Sequence, residues 1–305
     1  MVINMFKKIS LGKLRKNVVA IPGYPVVYLP HEDLIVLSDL HLGFEEAVAR
    51  GLYYDSKSTS STVGMFIPKI QFRNVISMLD KLLNIVKTKR ILINGDVKHA
   101  FDRLLRQERL EVSRLIEFLF SRGVEDIVLV RGNHDNFLIP VLKNYGLKLT
   151  REYVIESGGS KILFTHGHLD TVIEDYDLII MGHEHPRLRC FGIYKLPSIL
   201  IIPSEFGNEI LVLPASGAYH PGTAVTLSRE TYLSPIIKKH GIIEEARVVS
   251  WITIGGSGGL DKEVLMDKKN DFGEGFEISF FEVCGDTVAV LEFGNIDLAI
   301  NACGL

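Results

Sequence analysis

A short apolar run that ends in a glycine and three polar residues, IVLVRGNHD at residues 127–135, decides the fold. The run is rich in Ile, Leu and Val and too short for a typical helix, so it predicts a buried strand. Four other runs of the same kind occur in the chain and predict four more strands. They are LIVLSD at 34–39, ILING at 91–95, ILFTHG at 162–167 and LIIMGH at 178–183.

Helical patterns lie between the runs at 34–39, 91–95 and 127–132. Apolar residues at helical spacing predict helices around residues 71–89 and 103–121. Strand–helix alternation of this kind is typical of the α/β class and predicts βαβ units with a largely parallel central sheet. After about residue 186 the short apolar runs at 209–214, 223–227 and 246–254 replace the helical pattern. These runs predict a second sheet that packs on the first.

Composition divides the chain into a main domain and a C-terminal extension. The polar segment SKSTSSTVG at residues 56–64 predicts an exposed, mobile loop, and GGSGG at residues 255–259 predicts a flexible linker. The length of 305 residues suits one large domain with an appendage. We therefore predict a main domain over residues 1–254 and a strand-rich extension over residues 255–305.

Composition also argues against several classes of protein. The net charge of -3 gives no overall basic footprint of the kind that a nucleic-acid binder shows. The three cysteines form no CxxC pair, which argues against a disulfide framework and fits a reducing compartment. No apolar run approaches the roughly 18 residues that span a membrane, and no apolar signal-peptide core follows the first residues. We expect a cytoplasmic protein without membrane contact.

Polar side chains follow each of the five runs, where the predicted strands end. In an open α/β sheet, ligands bind outside the carboxyl ends of the strands. Parallel strands therefore bring the five polar clusters to one edge of the sheet. The clusters are Asp39-Leu40-His41, Gly95-Asp96, Gly132-Asn133-His134-Asp135, His166-Gly167-His168 and Gly182-His183-Glu184-His185.

The residue types in these clusters suit metal ions. Carboxylate oxygens and imidazole nitrogens without thiolates favour Mn, Fe or Zn. Asp39 and His41 are two residues apart, like His183 and His185, so each pair lies on one face of an extended segment. An aspartate with two oxygens can bridge two ions, and two divalent ions with two aspartates leave a positive site for a phosphate.

The five motifs, D-x-H, G-D, G-N-H-D, H and G-H-x-H in that order over residues 39–185, resemble those of the calcineurin-like metallophosphoesterase superfamily. SDLHLG, GDVKH, GNHD and GHEHP are most similar to the archaeal and bacterial branch related to the Mre11/SbcD nucleases. The resemblance implies a sandwich of two mixed β-sheets flanked by helices. It also implies a dinuclear, metal-dependent phosphoesterase, with manganese as the expected metal and iron or zinc as alternatives.

The resemblance further implies a role for each matching residue. A hydroxide between the two metals would attack the phosphorus of a phosphodiester, in a nucleotide or a nucleic acid. His134 would protonate the leaving oxygen as the general acid, and Asp135 would orient His134. The implied ligands are Asp39, His41, Asp96 and His185 for one ion, and Asp96, Asn133, His166 and His183 for the other.

The chain departs from the family pattern at three places. Many members carry an Asp-Arg pair shortly after the G-D motif. Here Lys98 and His99 stand near that place, and Asp102-Arg103 follows further on. His99 and Asn133 are the candidate substrate contacts, although a helix-capping or exposed role for His99 stays open. His168 matches no metal position, and we expect it to contact a metal ligand rather than the metal itself. The last fifty residues resemble nothing in the family.

Three alternative functions compete with the phosphoesterase. The G-x-S-x-G pattern of a serine hydrolase occurs at residues 255–259, but that fold needs a later histidine, and the last one is His240. A mononuclear zinc hydrolase does not fit, because one zinc ion has too few coordination positions for seven ligands. A non-catalytic scaffold for protein assembly on the same fold stays the alternative, although its ligands would be expected to have decayed. The substrate's alcohol and the oligomeric state are left open.

Overall fold

A computed structural model describes residues 7–8, 18–51, 65–190, 194–219, 222–255, 262–263, 265–266 and 274–303. The strands in these residues are Lys7–Lys8 (β1), Val19–Ala20 (β2), Val27–Leu29 (β3), Leu34–Leu37 (β4), Arg90–Asn94 (β5), Asp126–Val130 (β6), Leu149–Thr150 (β7), Glu152–Ser157 (β8), Ser160–Thr165 (β9), Leu178–Met181 (β10), Pro186–Cys190 (β11), Tyr194–Pro203 (β12), Glu209–Val212 (β13), Thr223–Ala224 (β14), Arg247–Thr253 (β15), Phe276–Val283 (β16) and Asp286–Phe293 (β17). The helices are Phe44–Ala49 (α1), Gln71–Val86 (α2), Arg106–Ser121 (α3), Ile139–Lys143 (α4), Pro235–His240 (α5) and Ile296–Cys303 (α6).

Two mixed sheets form the architecture. In the described residues the first sheet has the strand order β1-β2-β3-β4-β5-β6-β7, in which β4 to β7 are parallel and β1 to β4 are antiparallel. The second has the order β16-β17-β15-β12-β13-β10-β9-β8, and the small β11–β14 pair joins it at β12. In that sheet β9, β10 and β13 are parallel.

The central strands are apolar throughout because both of their faces are buried. Along β4, Val36 points into the core between the two sheets, whereas Ile35 and Leu37 point toward the helices. Along β10, Ile180 faces the first sheet and Ile179 faces the opposite side. This double burial explains why the runs read as continuous Ile, Leu and Val rather than as alternating patterns.

Helices cover the outer face of each sheet. Helix α2 buries Val75, Leu79 and Leu82 on one face, and its hydrophobic residues pack against β4 and β5 together with α3. Helices α5 and α6 pack on the outer face of the second sheet. Helix α5 begins at Pro235 after Ser234, whose hydroxyl accepts the Ile236 N–H and so caps the helix.

The five strands predicted from the apolar runs are present, but they do not share one central sheet. Strands β4, β5 and β6 lie in the first sheet, and β9 and β10 lie in the second. The prediction that all five strands belong to one largely parallel sheet was therefore wrong, because apolar runs do not reveal which strand pairs with which. The sandwich of two mixed sheets flanked by helices, which the family resemblance implied, is confirmed.

The C-terminal strands extend the second sheet. Strand β17 pairs with β15 through six residue pairs, from Val248 with Phe293 to Thr253 with Val288, and β16 pairs with β17. The predicted loop at 56–64 and most of the predicted linker at 255–259 lie outside the described residues. In the described part of the chain, no helix is long and apolar enough to cross a membrane.

One expectation about the cysteines was wrong. Cys190 at the end of β11 and Cys303 at the end of α6 form a disulfide across 113 residues of sequence. Both side chains are buried, and the third cysteine, Cys284, is free and exposed. The sequence showed neither CxxC spacing nor an even count, so only the packing of α6 against β11 reveals the pair.

Candidate metal centre

The five polar clusters meet at one edge of the sandwich, where the carboxyl ends of strands from both sheets come together. Backbone hydrogen bonds join neighbouring clusters directly. The Asp39 N–H donates to the Gly95 carbonyl and the His41 N–H donates to the Asp96 carbonyl, each at 3.0 Å. The Gly182 N–H donates to the carbonyl of His166 at 3.2 Å. The convergence predicted from a single sheet edge therefore arises from two sheets.

Five of the seven candidate ligands have an unusual backbone. Their φ angles lie in the left-handed region, which costs a non-glycine residue free energy and persists only where the surrounding structure enforces it. A backbone of this kind is common at functional sites. The residues are Asp39 (φ 56°), His41 (φ 46°), Asp96 (φ 52°), His183 (φ 70°) and His185 (φ 48°).

Glycines allow the clusters to approach one another. A Cβ added at Gly95 would lie 2.8 Å from the Cβ of His166, and one at Gly132 would lie 2.8 Å from the Cγ of Asp96. Both separations are shorter than real Cβ contacts. The glycines of the G-D and G-N-H-D motifs are therefore required by the packing of the ligands themselves.

Asp39, His41 and His185 form the first ligand group. Their donor atoms all lie within 4.8 Å of one another, as a common ion requires. His185 Nε2 is 2.8 Å from Asp39 Oδ1 and 3.5 Å from His41 Nε2. All three residues are buried.

Asp96, His166 and His183 form the second ligand group, which meets the same 4.8 Å criterion. His166 Nε2 is 3.2 Å from Asp96 Oδ2 and 3.2 Å from Asn133 Oδ1, so Asn133 adjoins this group. His166 Nδ1 is 3.0 Å from the Asn94 carbonyl, to which its N–H donates. This hydrogen bond directs Nε2 toward the cluster, as in the ligand histidines of metal proteins.

Charge in the site favours cations. Burial opposes protonation of His166, but the carboxylates of Asp96 and Asp39 outweigh burial and raise its pKa to about 10. Burial also opposes ionisation of Asp96, yet His166 and His134 lower the pKa of its carboxyl well below the usual range. The two buried carboxylates therefore favour positive charge in this cluster. With its nitrogen and oxygen donors, the cluster fits divalent metal ions.

His134 lies against the ligand groups, and among the described residues its ring has no hydrogen bond to Asp135. The ring Nδ1 of His134 contacts the backbone carbonyl of His99. The Asp135 carboxylate instead accepts the backbone N–H groups of Asp96, Val97 and Gly132, each at 2.8 Å. Burial and the neighbouring charge of Asp96 raise the pKa of Asp135 to about 6. The Asp135 carboxylate therefore holds the backbone of two motifs, and the expectation that Asp135 orients His134 stays a prediction.

The segment after the G-D motif carries His99 and Lys98 into the interior. His99 is 6% exposed, and its Nδ1 lies 3.3 Å from Nδ1 of His41. Lys98 is fully buried, with Nζ 3.9 Å from Oε2 of Glu108. The positions that carry an Asp-Arg pair in many relatives thus pack inward in this chain.

Glu108 is a site-supporting residue that the sequence motifs did not reveal. Its carboxylate accepts the N–H groups of His99 at 3.1 Å and of Leu105 at 2.7 Å, and also that of Ala100. Glu108 is the third residue of α3, and the acidic residue at this helical position was the available signal. It fixes the segment whose carbonyl contacts His134.

His168 lies beside the second ligand group without belonging to it. Its ring centroid is 5.3 Å from that of His166 and 6.1 Å from that of His183. Burial and the charge of His166, with smaller effects from Arg131 and Arg151, lower the pKa of His168 to about 4. The ring nitrogen Nδ1 is buried, and in the described part of the chain no group hydrogen-bonds to it.

The fold and the donor set define the class of a metal-dependent phosphoesterase. A family model described as calcineurin-like phosphoesterase matches residues 33–187, which is half of the chain and includes all seven candidate ligands. The chain belongs to the calcineurin-like phosphoesterase family. The family predicted from the five motifs is confirmed, and the chain is accordingly a hydrolase of phosphate esters.

Two solved structures align with this chain at low sequence identity. The nuclease MPE of Pseudomonas putida aligns with a TM-score of 0.53 and 18% identity, over 80% of this chain and 96% of that one. The phosphoesterase Yfce of E. coli aligns with a TM-score of 0.33 and 17% identity, over 62% of this chain and 84% of that one. No curated protein matches the sequence. The likeness to the first structure supports the fold.

Proposed function

We propose that this chain hydrolyses phosphodiesters of nucleotides or nucleic acids and binds two divalent ions, with manganese as the expected metal. The position of Asp96 carries the proposal. Its Oδ2 is 3.2 Å from His166 Nε2 in one ligand group and 3.8 Å from His41 Nε2 in the other. A carboxylate oxygen that faces both groups is what a residue shared by two ions requires.

The two ligand groups would each hold one ion. When bound, the ions supply Lewis-acid stabilisation of the charge that develops on the phosphate oxygens. The proposed ligands are Asp39, His41, Asp96 and His185 for the first ion, and Asp96, Asn133, His166 and His183 for the second. The polypeptide fixes these donors before the substrate arrives, because their backbones are joined by hydrogen bonds.

His134 is placed to act as the general acid. Its backbone N–H donates to Asp96 Oδ1 at 2.9 Å, and its Nε2 is 3.9 Å from Asp96 Oδ2. The protonated ring donates its Nδ1–H to the His99 carbonyl, which leaves Nε2–H to face the ligand groups. That proton passes to the oxygen of the departing alcohol, so that the alcohol leaves uncharged.

Asn133 is the stronger of the two proposed substrate contacts. It is half-buried and its Oδ1 faces His166, so its amide lies at the boundary between the ligand group and solvent. His99 is the weaker candidate, because its ring is packed edge-to-face against Phe44 with the centroids 4.7 Å apart. We propose that His99 acts mainly through its backbone carbonyl.

One substrate panel tests the proposal. Bis-p-nitrophenyl phosphate, p-nitrophenyl phosphate, cyclic nucleotides, and single- and double-stranded DNA are each incubated with the purified protein and manganese. We expect hydrolysis of the diester with little hydrolysis of the monoester. Release from the monoester alone would overturn the diester assignment. No hydrolysis of any substrate by metal-loaded protein would favour the alternative, a non-catalytic scaffold.

A further inference from the structure

Three side chains outside the ligand set gather on one side of the metal centre. His168 follows β9, Arg131 follows β6, and Arg151 stands between β7 and β8. The parallel pairing of β6 with β7 places Val130 beside Thr150, and the Arg131 N–H donates to the Thr150 carbonyl at 2.7 Å. The backbones at Arg131 and Arg151 therefore lie side by side at this edge of the first sheet.

Strand pairing also brings Arg151 close to the second ligand group. Glu152, the next residue, pairs with Thr165 across the β8–β9 ladder, and Thr165 directly precedes the ligand His166. Arg151 donates through Nη2 to the carbonyl of Asp170, two residues after His168, at 3.5 Å, and the ring of His168 lies 5.3 Å from that of His166. Arg151 and His168 therefore lie near each other on the side of the second ligand group.

The contacts of the two arginines leave part of each guanidinium directed to solvent. Arg131 donates through Nη2 to Asn136 Oδ1 at 2.6 Å, and its side chain is exposed. Arg151, 66% exposed, lies with Nε 3.6 Å from Glu152 Oε1 and donates through Nη2 to the Asp170 carbonyl at 3.5 Å. A guanidinium carries five N–H donors, so each keeps donors beyond these contacts.

We propose that Arg131, Arg151 and His168 form a second anion site, which binds a phosphate group adjacent to the one that is cleaved. The inference rests on the proposed function and narrows its substrate class. The preferred substrate carries a further phosphate beside the scissile diester, as every internal linkage of a nucleic-acid strand does. A diester with a single phosphate occupies the metal centre alone.

The chemistry of the three side chains suits this role. Guanidinium groups bind phosphate oxygens through paired, charge-assisted hydrogen bonds, which are about twice as strong as neutral ones. The ring nitrogen Nδ1 of His168, which is buried and has no hydrogen-bond partner in the described residues, adds a further hydrogen-bonding group. Two exposed arginines beside a metal centre would otherwise be weakly constrained surface charges, and a bound phosphate accounts for their shared position.

A kinetic comparison tests the site. The specificity constants for a short oligothymidylate and for bis-p-nitrophenyl phosphate are measured with manganese, and their ratio is compared among variants. In the double variant Arg131→Gln/Arg151→Gln we expect this ratio to fall about tenfold or more, as the loss of a hydrogen bond to a charged group predicts. Arg122→Gln is the matched control, because Arg122 pairs with Asp80 between α2 and α3, away from the metal centre.

Binding without turnover gives an independent readout. Fluorescence anisotropy follows a phosphorothioate-linked oligothymidylate with the manganese-loaded protein over a range of salt concentrations. For a single strand, the slope of log K against log salt should become shallower by about 0.7 for each phosphate contact that is removed. Replacing both arginines by lysine should restore the slope, because the charges return, but only part of the affinity.

The outcomes separate this site from the proposed function. An unchanged ratio and an unchanged salt slope in the double glutamine variant would overturn the second anion site, even if the diester is hydrolysed. A wild-type protein that hydrolyses no diester would overturn the proposed function. In that case a slope that still depends on the two arginines would show anion binding without the proposed chemistry.

Discussion

Asp96 joins the two halves of the candidate metal centre at the scale of a single residue. Its Oδ1 accepts the His134 N–H at 2.9 Å, its Oδ2 faces His166 and His41, and its own N–H donates to Asp135. The left-handed backbone at Asp96, with φ of 52°, is held by these contacts. A substitution here therefore affects both ligand groups at once.

The first prediction concerns this carboxylate. Asp96→Asn replaces one charged oxygen with an amide nitrogen, so it should remove the shared ligand and lower metal content and diester hydrolysis together. Metal content is measured by mass spectrometry of the purified, manganese-supplemented protein beside a bis-p-nitrophenyl phosphate assay. A variant that retains two ions per chain would contradict the shared role. Asp80→Asn, on the exposed surface of α2, is the matched control.

The second prediction separates His134 from the ligands. His134→Ala should retain both ions, because no proposed ligand is lost, yet turnover should fall by about 10²–10⁴-fold, the usual contribution of a positioned acid. His240→Ala is the control, because that histidine pairs with Glu205 away from the cluster. Loss of metal in His134→Ala would show that the residue is a ligand rather than an acid.

The structure brings the proposed ligands together, and the sequence pointed to them because each one follows an apolar run that ends at the same edge. The residues that hold them in place were not readable. The Asp135 carboxylate accepts four backbone N–H groups, one from Gly132 of its own motif and three from Asp96, Val97 and Lys98, which lie about forty residues earlier in the chain. Contacts of this kind depend on the meeting of two loops in space, and no spacing along the chain encodes them.

At the scale of elements, α3 controls the loop that supports His134. Glu108 in its first turn accepts three backbone N–H groups of residues 99–105, and buried Lys98 lies 3.9 Å from the same carboxylate. Because both charges are buried, removal of either residue leaves the other charge buried without its partner. The start of α3 and the loop of residues 98–105 are therefore one structural unit.

The third prediction follows from this unit. Glu108→Ala leaves Lys98 without its carboxylate, and breaking a buried pair costs about 3–5 kcal/mol of unfolding free energy. Urea unfolding measures the loss. Glu125→Ala is the matched control, since the Lys89–Glu125 pair is 64% and 67% exposed and such pairs contribute about 0–1 kcal/mol. A loss no greater than that of the control would contradict the proposed role of Glu108.

The sequence predicted the strands better than their pairing. Each of the five runs forms a strand, since double burial produces a continuous apolar pattern that is visible in one dimension. Val36 and Ile180 nevertheless face each other across two sheets, although their runs look alike. Partner choice depends on the register and twist of the assembled sheets, which the composition of a single run does not contain.

At the scale of the whole molecule, the last described residues close the second sheet and its outer face. Strands β16 and β17 extend that sheet beyond β15, and α6 packs on β11 and β15. The disulfide from Cys190 to Cys303 ties α6 to β11. Since none of these contacts involves a proposed ligand, we expect them to affect stability.

The fourth prediction concerns this disulfide. A disulfide stabilises chiefly by restricting the unfolded chain, and removal of a native one costs about 2–5 kcal/mol in small domains. Cys190→Ser/Cys303→Ser should lower the free energy of unfolding by an amount in that range, whereas Cys284→Ser, at the free and exposed cysteine, should leave it unchanged. Thiol counting on the denatured, unreduced protein provides the direct check. One reactive thiol per chain is expected, and three would show that the cysteines are reduced, as their sparse spacing had first suggested.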